Sequence, residues 1–238
     1  MEHGHSAQEI ERRIGKASNS SYLRDFVYGG IDGTVTTFAI VAGVQGAGFS
    51  SLVIIALGIA NVLADGFSMA ASNFSAVQSE REDIDRLREI EQRHIRLEPE
   101  GEKAEIRHIL RMKGLRGKTL DHAVSDIIGD EGNWIDMMLV DEYGRAPVDP
   151  HPVLAASATF VAFLLCGLIP LMPYLLDSTA PFRISILATA FTFFLIGMIR
   201  SFWSLKSWWR LGSETLGIGM IAATIAYLAG AYVGSLQG

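Results

Sequence analysis

Glu91 and His94 stand three residues apart, and Glu105 and His108 repeat that spacing a little further on. Residues three apart on a helix share a face, so each pair would present a carboxylate beside an imidazole. Glu102 precedes Glu105 by the same interval, and Met138 precedes Glu142 by four. Carboxylate, imidazole and thioether together suit a divalent transition metal of intermediate softness, such as ferrous iron. Calcium or magnesium would favour oxygen donors alone. The same pattern also describes a solvated helix face, held by ion pairs to the many arginines nearby. Both readings stand at this level. Di-iron bundles use Glu-x-x-His too, but on long helices well separated in sequence. Here Pro99 and Gly101 interrupt between the two pairs, which argues against a complete di-iron bundle.

A second set of polar residues lies where the chain is otherwise apolar. Asp25 and Asp32 are about two helical turns apart, with Tyr28 between them and Thr36 beyond. Gly29, Gly30 and Gly33 flank Asp32 and would let another backbone approach closely. Further on, Asn61, Asp65, Met69 and Asn73 follow one another at intervals of four, a polar stripe on an apolar helix. The asparagines read as interhelical hydrogen-bonding groups and Met69 as packing or a soft ligand. Asp32 and Asp65 resist so plain a role. Ionisable groups at membrane depth are costly and mark ion paths, and two such carboxylates repel unless a cation or proton lies between them.

The elements that must position these residues follow from the charge distribution. Charged residues nearly vanish from about 50 to 78, from about 152 to 199, and after Glu214. A hydrocarbon core needs roughly 20 apolar residues per helical span. Five stretches qualify, near 26–48, 51–76, 153–176, 182–203 and 213–236. Helix is the form expected, because each span must satisfy its own backbone in lipid. With five spans, 19 of the 20 Lys and Arg residues fall on one side, leaving only Arg183 opposite. The positive-inside rule then puts the N-terminus and the insert in the cytoplasm and the C-terminus outside. The basic residues before the first span are Arg12, Arg13, Lys16 and Arg24.

The fold expected is therefore all-α: a polytopic membrane protein with five transmembrane helices and a helical cytoplasmic metal-binding insert between the second and third spans. Residues 1–22 form a cytoplasmic arm, 23–78 the first two spans, 79–150 the insert, and 151–238 the last three spans. Within the insert, Ser79 to Ile95 should extend the second span as helix. After the Pro99 and Gly101 interruption, helices are expected from about Glu102 to Met112, Leu120 to Ile128, and from Asn133 onward. The last carries Trp134, Ile135, Met137 and Met138 as a partner-facing stripe. The insert holds 18 acidic residues against 12 Lys and Arg, so it carries the whole net charge of −6. Nucleic acid is an unsuitable partner for such a surface. Glu214 reads as a group near the N-terminus of the fifth span, complementing its dipole. The lone Cys166 has no disulfide partner and reads as packing. Met1 to Asn19 lack a secretory signal pattern, which favours a bacterial plasma membrane, with a vacuolar membrane the alternative.

The run from Arg24 through Asp25, Gly29, Gly30, Asp32, Gly33, Phe38 and Ala42 to Gly43 resembles the first-span signature of the vacuolar iron transporter family. The run from Gly58 through Asp65, Gly66, Ser68 and Met69 to Glu80 is similar to its second span. The likeness covers nearly all of the chain after Ser20. It implies antiport of ferrous iron, and sometimes manganese, against protons, by a homodimer whose pore is lined by the first spans. It implies pathway roles for Asp25, Asp32 and Met69, with Asp65 a departure that adds a ligand or proton site. It implies metal ligation in the insert by Glu91, Glu102, Glu105, Met138 and Glu142, with His94 standing where the family has glutamate. No permanent cofactor is expected; Fe²⁺ is substrate and ligand of the insert, and the partners are a second copy, metal ions and lipid. The chain is then a transporter and not an enzyme. The alternative is a membrane-anchored metal-binding or iron-oxidising module whose spans serve only as anchor.

Overall fold

The computed structural model describes residues 6–9, 22–145 and 151–236. Arg12, Arg13 and Lys16, and with them most of the expected arm, lie outside the described residues. Every regular element among the described residues is helical. The chain divides into two compact units, one built on Ala76–His151 and the other on Ser21–Ser75 and Pro152–Gly238.

In the larger unit, α1 (Leu23–Gly46) is the central helix. It packs against α6 (Pro152–Leu168), α7 (Pro181–Ile199) and α8 (Trp208–Ser235), and α7 packs on α8. α2 runs without interruption from Ser51 to Leu97, so the expected extension of the second span is present. It contributes Ile54 and Val62 to a core with Phe38, Val41, Leu171 and Ala223. Five helical stretches are long and apolar enough to cross a membrane: Leu23–Gly46, Ser51–Leu97, Pro152–Leu175, Pro181–Trp203 and Trp208–Ser235. Leu52, Phe67, Leu187 and Ile221 point outward and are mostly exposed on this unit. Such an apolar exterior is unfavourable in water and natural against lipid tails.

Small residues make the approach of α1 to α6 possible. A Cβ at Gly29 would collide with the Thr159 carbonyl oxygen, and one at Gly33 would lie 2.6 Å from that of Phe163. Helices in lipid gain little from hydrophobic exclusion, so close van der Waals packing of this kind must hold them together. The third span contains Pro170 and Pro173, and its helix tightens to 3₁₀ over Ile169–Leu171 before Met172–Leu175 finishes it. The fifth span begins at Trp208, several residues earlier than expected. Ser207 takes its N-cap position, while Glu214 sits further along and accepts from Lys206 Nζ at 3.1 Å instead of capping.

In the smaller unit, α3 (Pro99–Met112), α4 (Gly117–Ile128) and α5 (Glu131–Asp141) are short and amphipathic. Ile106, Leu110, Leu120, Val124, Trp134 and Met138 form one buried cluster. Ile135 and Leu139 form another with Ile84 and Leu87 of α2. The break expected over Pro99 and Gly101 is confined to Glu98: Pro99 opens α3 and Gly101 lies within its first turn. A proline at the first helical position gives up only an N–H that no intrahelical carbonyl could use. Gly114, at φ +101°, adopts the left-handed conformation that closes α3. α5 starts at Glu131, because Asp130 caps it by accepting from the Asn133 N–H at 2.9 Å.

Gly33→Val should therefore destabilise the protein by about 1–3 kcal/mol through overpacking. Thermal unfolding in detergent should show a lower midpoint, whereas Gly217→Ala, where an added Cβ meets nothing within 4 Å, should leave it nearly unchanged.

Candidate functional site

The smaller unit draws Glu91, His94 and Glu102 into one cluster. Glu91 sits on the inward face of α2 and is only 1% exposed. Its Oε1 accepts a hydrogen bond from the Tyr143 hydroxyl at 2.8 Å. Glu102, in the first turn of α3, is also buried. His94 Nδ1 lies 3.4 Å from Glu102 Oε1 and 3.9 Å from Glu91 Oε1. One donor atom from each of the three residues lies within 4.8 Å of the other two. The Oε2 atoms of Glu91 and Glu102 are buried with no hydrogen-bond partner. A buried polar atom left unpaired costs about 1–3 kcal/mol, more when charged. Two such atoms beside an imidazole make a site that a cation or shared protons would relieve.

Electrostatics follow the same geometry. Burial pushes the Glu102 carboxyl up to about 7, and the charges of Glu91, Glu105 and Glu142 push in the same direction. Glu142 is raised by burial and by Glu91 and Glu105. Tyr143 is raised as well, by burial and then by its bond to Glu91, so it remains a donor at neutral pH. Glu105 is exposed on α3. With His108, Met112, Met138, Asp141 and Glu142 it lines a cavity of about 400 Å³. Met138 is fully buried in the helical core and forms a wall of that cavity. Glu142 is the C-cap of α5 and not a member of the helix, and Asp141 is taken up by Lys113 at 2.7 Å.

In the larger unit, Asp32 is half-buried on α1 and Asp65 is exposed on α2. Met69 is half-buried one turn beyond Asp65. Asp25 is held differently. Asn73 Nδ2 donates to Asp25 Oδ1 at 2.9 Å and lies 2.8 Å from Thr159 Oγ1. Asn61 Nδ2 lies 3.3 Å from Thr36 Oγ1 and 3.5 Å from Thr37 Oγ1. Both asparagines of the stripe are thus spent tying α2 to its neighbours. The stripe divides into structural ends and a middle, Asp65 and Met69, with no such partner among the described residues.

Both places gather acidic groups. A model of the VIT family matches residues 23–231. The chain belongs to the VIT family. It is 33% identical over 208 residues to vacuolar iron transporter 1 of Arabidopsis thaliana, covering 86% of this chain and 83% of the relative. It is 30% identical to vacuolar iron transporter 1 of Eucalyptus grandis, over 93% of this chain and 92% of the relative. A vacuolar iron transporter of Plasmodium falciparum is 26% identical over 87% of this chain and 81% of that protein. The VIT family is one of membrane transporters, not of enzymes.

Two functional candidates in this VIT protein escaped the sequence. Tyr143 lies beyond the end of α5, outside any periodic pattern, and its partner Glu91 is 52 residues away. Asn73 was legible as polar but not as the residue that fixes Asp25.

The Glu102 shift gives a pH dependence with a definite sign. A carboxyl raised from 4.5 to about 7 holds its proton more tightly in the folded protein. Its protonated form favours the metal-free fold below 4.5, and that advantage is lost as pH rises through about 7. Metal ligation needs the ionised form. Calorimetric titration of the cluster should show an affinity that is flat above pH ~7 and falls by up to about tenfold per pH unit below it. Glu102→Gln should flatten that slope.

Proposed function

We propose that this protein exports Fe²⁺ from the cytoplasm, with Mn²⁺ a second substrate, by exchange for protons. The observation that carries the reading is the pair of carboxylates, Asp32 and Asp65, on helices apolar enough to span a bilayer. An exposed carboxylate at such depth is tolerated only against water, a cation or another protein surface. Assembly as a homodimer, with the α1 helices lining a shared path, would supply that surface and double every ligand. The names of the relatives support iron as cargo.

In this mechanism the insert faces the cytoplasm, as the basic residues favour, and gathers metal. Glu91, His94 and Glu102 hold the ion, with Glu105, Met138 and Glu142 around the neighbouring cavity. Asp25 receives the ion at the entrance. Asp32, Asp65 and Met69 bind it within the membrane. The thioether discriminates against Mg²⁺. Asp32 carries either metal or a proton, never both, which is the simplest basis for antiport: protonation releases the ion, and deprotonation prepares the site for the next. No resident cofactor takes part. A bacterial plasma membrane is the setting favoured by the sequence. An anchoring role alone would leave Asp32, Asp65 and Met69 without a task.

Asp32→Ala should abolish Fe²⁺ uptake into inside-acid liposomes, read with an internal ferrous chelator. Deletion of 79–149 should leave residual flux with a higher apparent KM. Undiminished uptake by Asp32→Ala would remove the membrane aspartate from the pathway.

A further inference from the structure

The Glu91, His94 and Glu102 cluster contains one nitrogen donor among oxygens, and its surroundings bear on which metal it selects. Tyr143 occupies Glu91 Oε1, which leaves Oε2 as the buried, unpartnered atom. Glu102 repeats the arrangement: His94 faces its Oε1, and its Oε2 is also buried and unpartnered. Each carboxylate therefore keeps a buried oxygen with no donor among the described residues, and in the metal-free protein a proton shared between Glu102 and Glu91 is what links the two. A counter-charge on His94 alone does not account for this, because Nδ1 is placed toward the two Oε1 atoms.

The dimensions suit a small ion. First-row metals bind imidazole and carboxylate at about 2.0–2.2 Å, which sets neighbouring donors roughly 3–3.5 Å apart. The donors here lie within 4.8 Å of one another. The His94 side chain is 51% exposed, so it can swing inward at little cost. Its exposure also leaves room for water to complete the coordination shell. The two carboxylates are fixed by burial, and the imidazole is the adjustable member.

We propose that His94 is the specificity-determining ligand of the insert, biasing it toward Fe²⁺, Co²⁺ and Zn²⁺ over Mn²⁺ and Mg²⁺. This rests on the reading of the insert as a metal collector. Carboxylate and water suit Mg²⁺ and Mn²⁺, whereas imidazole suits zinc, iron, nickel and copper. Any donor set binds Zn²⁺ more tightly than Mn²⁺; a nitrogen in the first shell widens the gap. A site of carboxylates alone would admit manganese and magnesium far more readily. His94 thus moves discrimination to the first protein surface the ion meets.

The test uses the full-length protein in detergent, with Zn²⁺ and Mn²⁺ in equilibrium competition. Insert occupancy is the bound metal that Glu91→Gln removes, which separates it from metal held in the spans. His94→Glu should lower the Zn²⁺-to-Mn²⁺ preference at least about tenfold, chiefly by strengthening Mn²⁺. Pulsed EPR of the Mn²⁺-loaded wild type should show a ¹⁴N coupling that His94→Gln abolishes. An unchanged preference with binding retained would overturn the proposal, as would a nitrogen coupling that survives in His94→Gln. Metal binding that Glu91→Gln does not reduce would instead overturn the collector reading, and this inference with it. Since His94 is half-exposed, neither substitution threatens the fold.

Discussion

A charge in hydrocarbon costs about 3 kcal/mol or more by insertion measurements, and that penalty organises the larger unit. It restricts the chain to helices that satisfy their own backbones. It favours polar side chains on them that find a partner. Thr34 and Thr36 turn back onto carbonyls of their own helix, at Gly30 and Asp32. Asn61 and Asn73 reach across to α1 and α6. Thr189 Oγ1 stays buried without a partner among the described residues, and on the first two spans the carboxylates of Asp32 and Asp65 are left without a hydrogen-bonding side chain of this kind.

The insert obeys the opposite economy. It is an acidic, water-facing module whose small core is built from the apolar stripes of α3, α4 and α5 against α2. Its anomaly is the burial of two carboxylates in that setting. Coulomb repulsion between Glu91 and Glu102 is tolerated in the metal-free fold because one of them keeps a proton to about neutral pH. Proton and metal then compete for the same oxygens. On the proposed reading of the insert, a metal site built in this way would load more readily on the alkaline side of neutrality.

Much of this was legible in the residues. Five apolar stretches stood out, because lipid imposes a length and a composition on a span. The extension of α2 followed from an unbroken charged helical run. Boundaries were less legible where proline and glycine act by position: Pro99 begins a helix as readily as it ends one, and Gly101 is harmless in a first turn. Spacing paired Glu91 with His94 and Glu102 with Glu105, and only the family resemblance placed all of them in one site. Burial divided the set. Glu102 is buried and Glu105 exposed: residues three apart lie on neighbouring faces offset by about 60°, and at the edge of a small core that offset separates buried from exposed. The Tyr143 bond to Glu91 was beyond reach, because tertiary packing alone joins residues so distant in sequence.

The bond between Asn73 and Asp25 has one further effect, on denticity. With Oδ1 engaged, Asp25 would, on the proposed reading, offer an ion one free oxygen and a second already weakened by a hydrogen bond. A carboxylate that grips chiefly by a single atom holds an ion less tightly than one that chelates it, so exchange at Asp25 would be the quicker. Conduction through a narrow path requires sites that bind well enough to admit an ion and weakly enough to release it. Asn73 would keep Asp25 a place of transit rather than of rest, so that tight binding is reserved for the deeper residues.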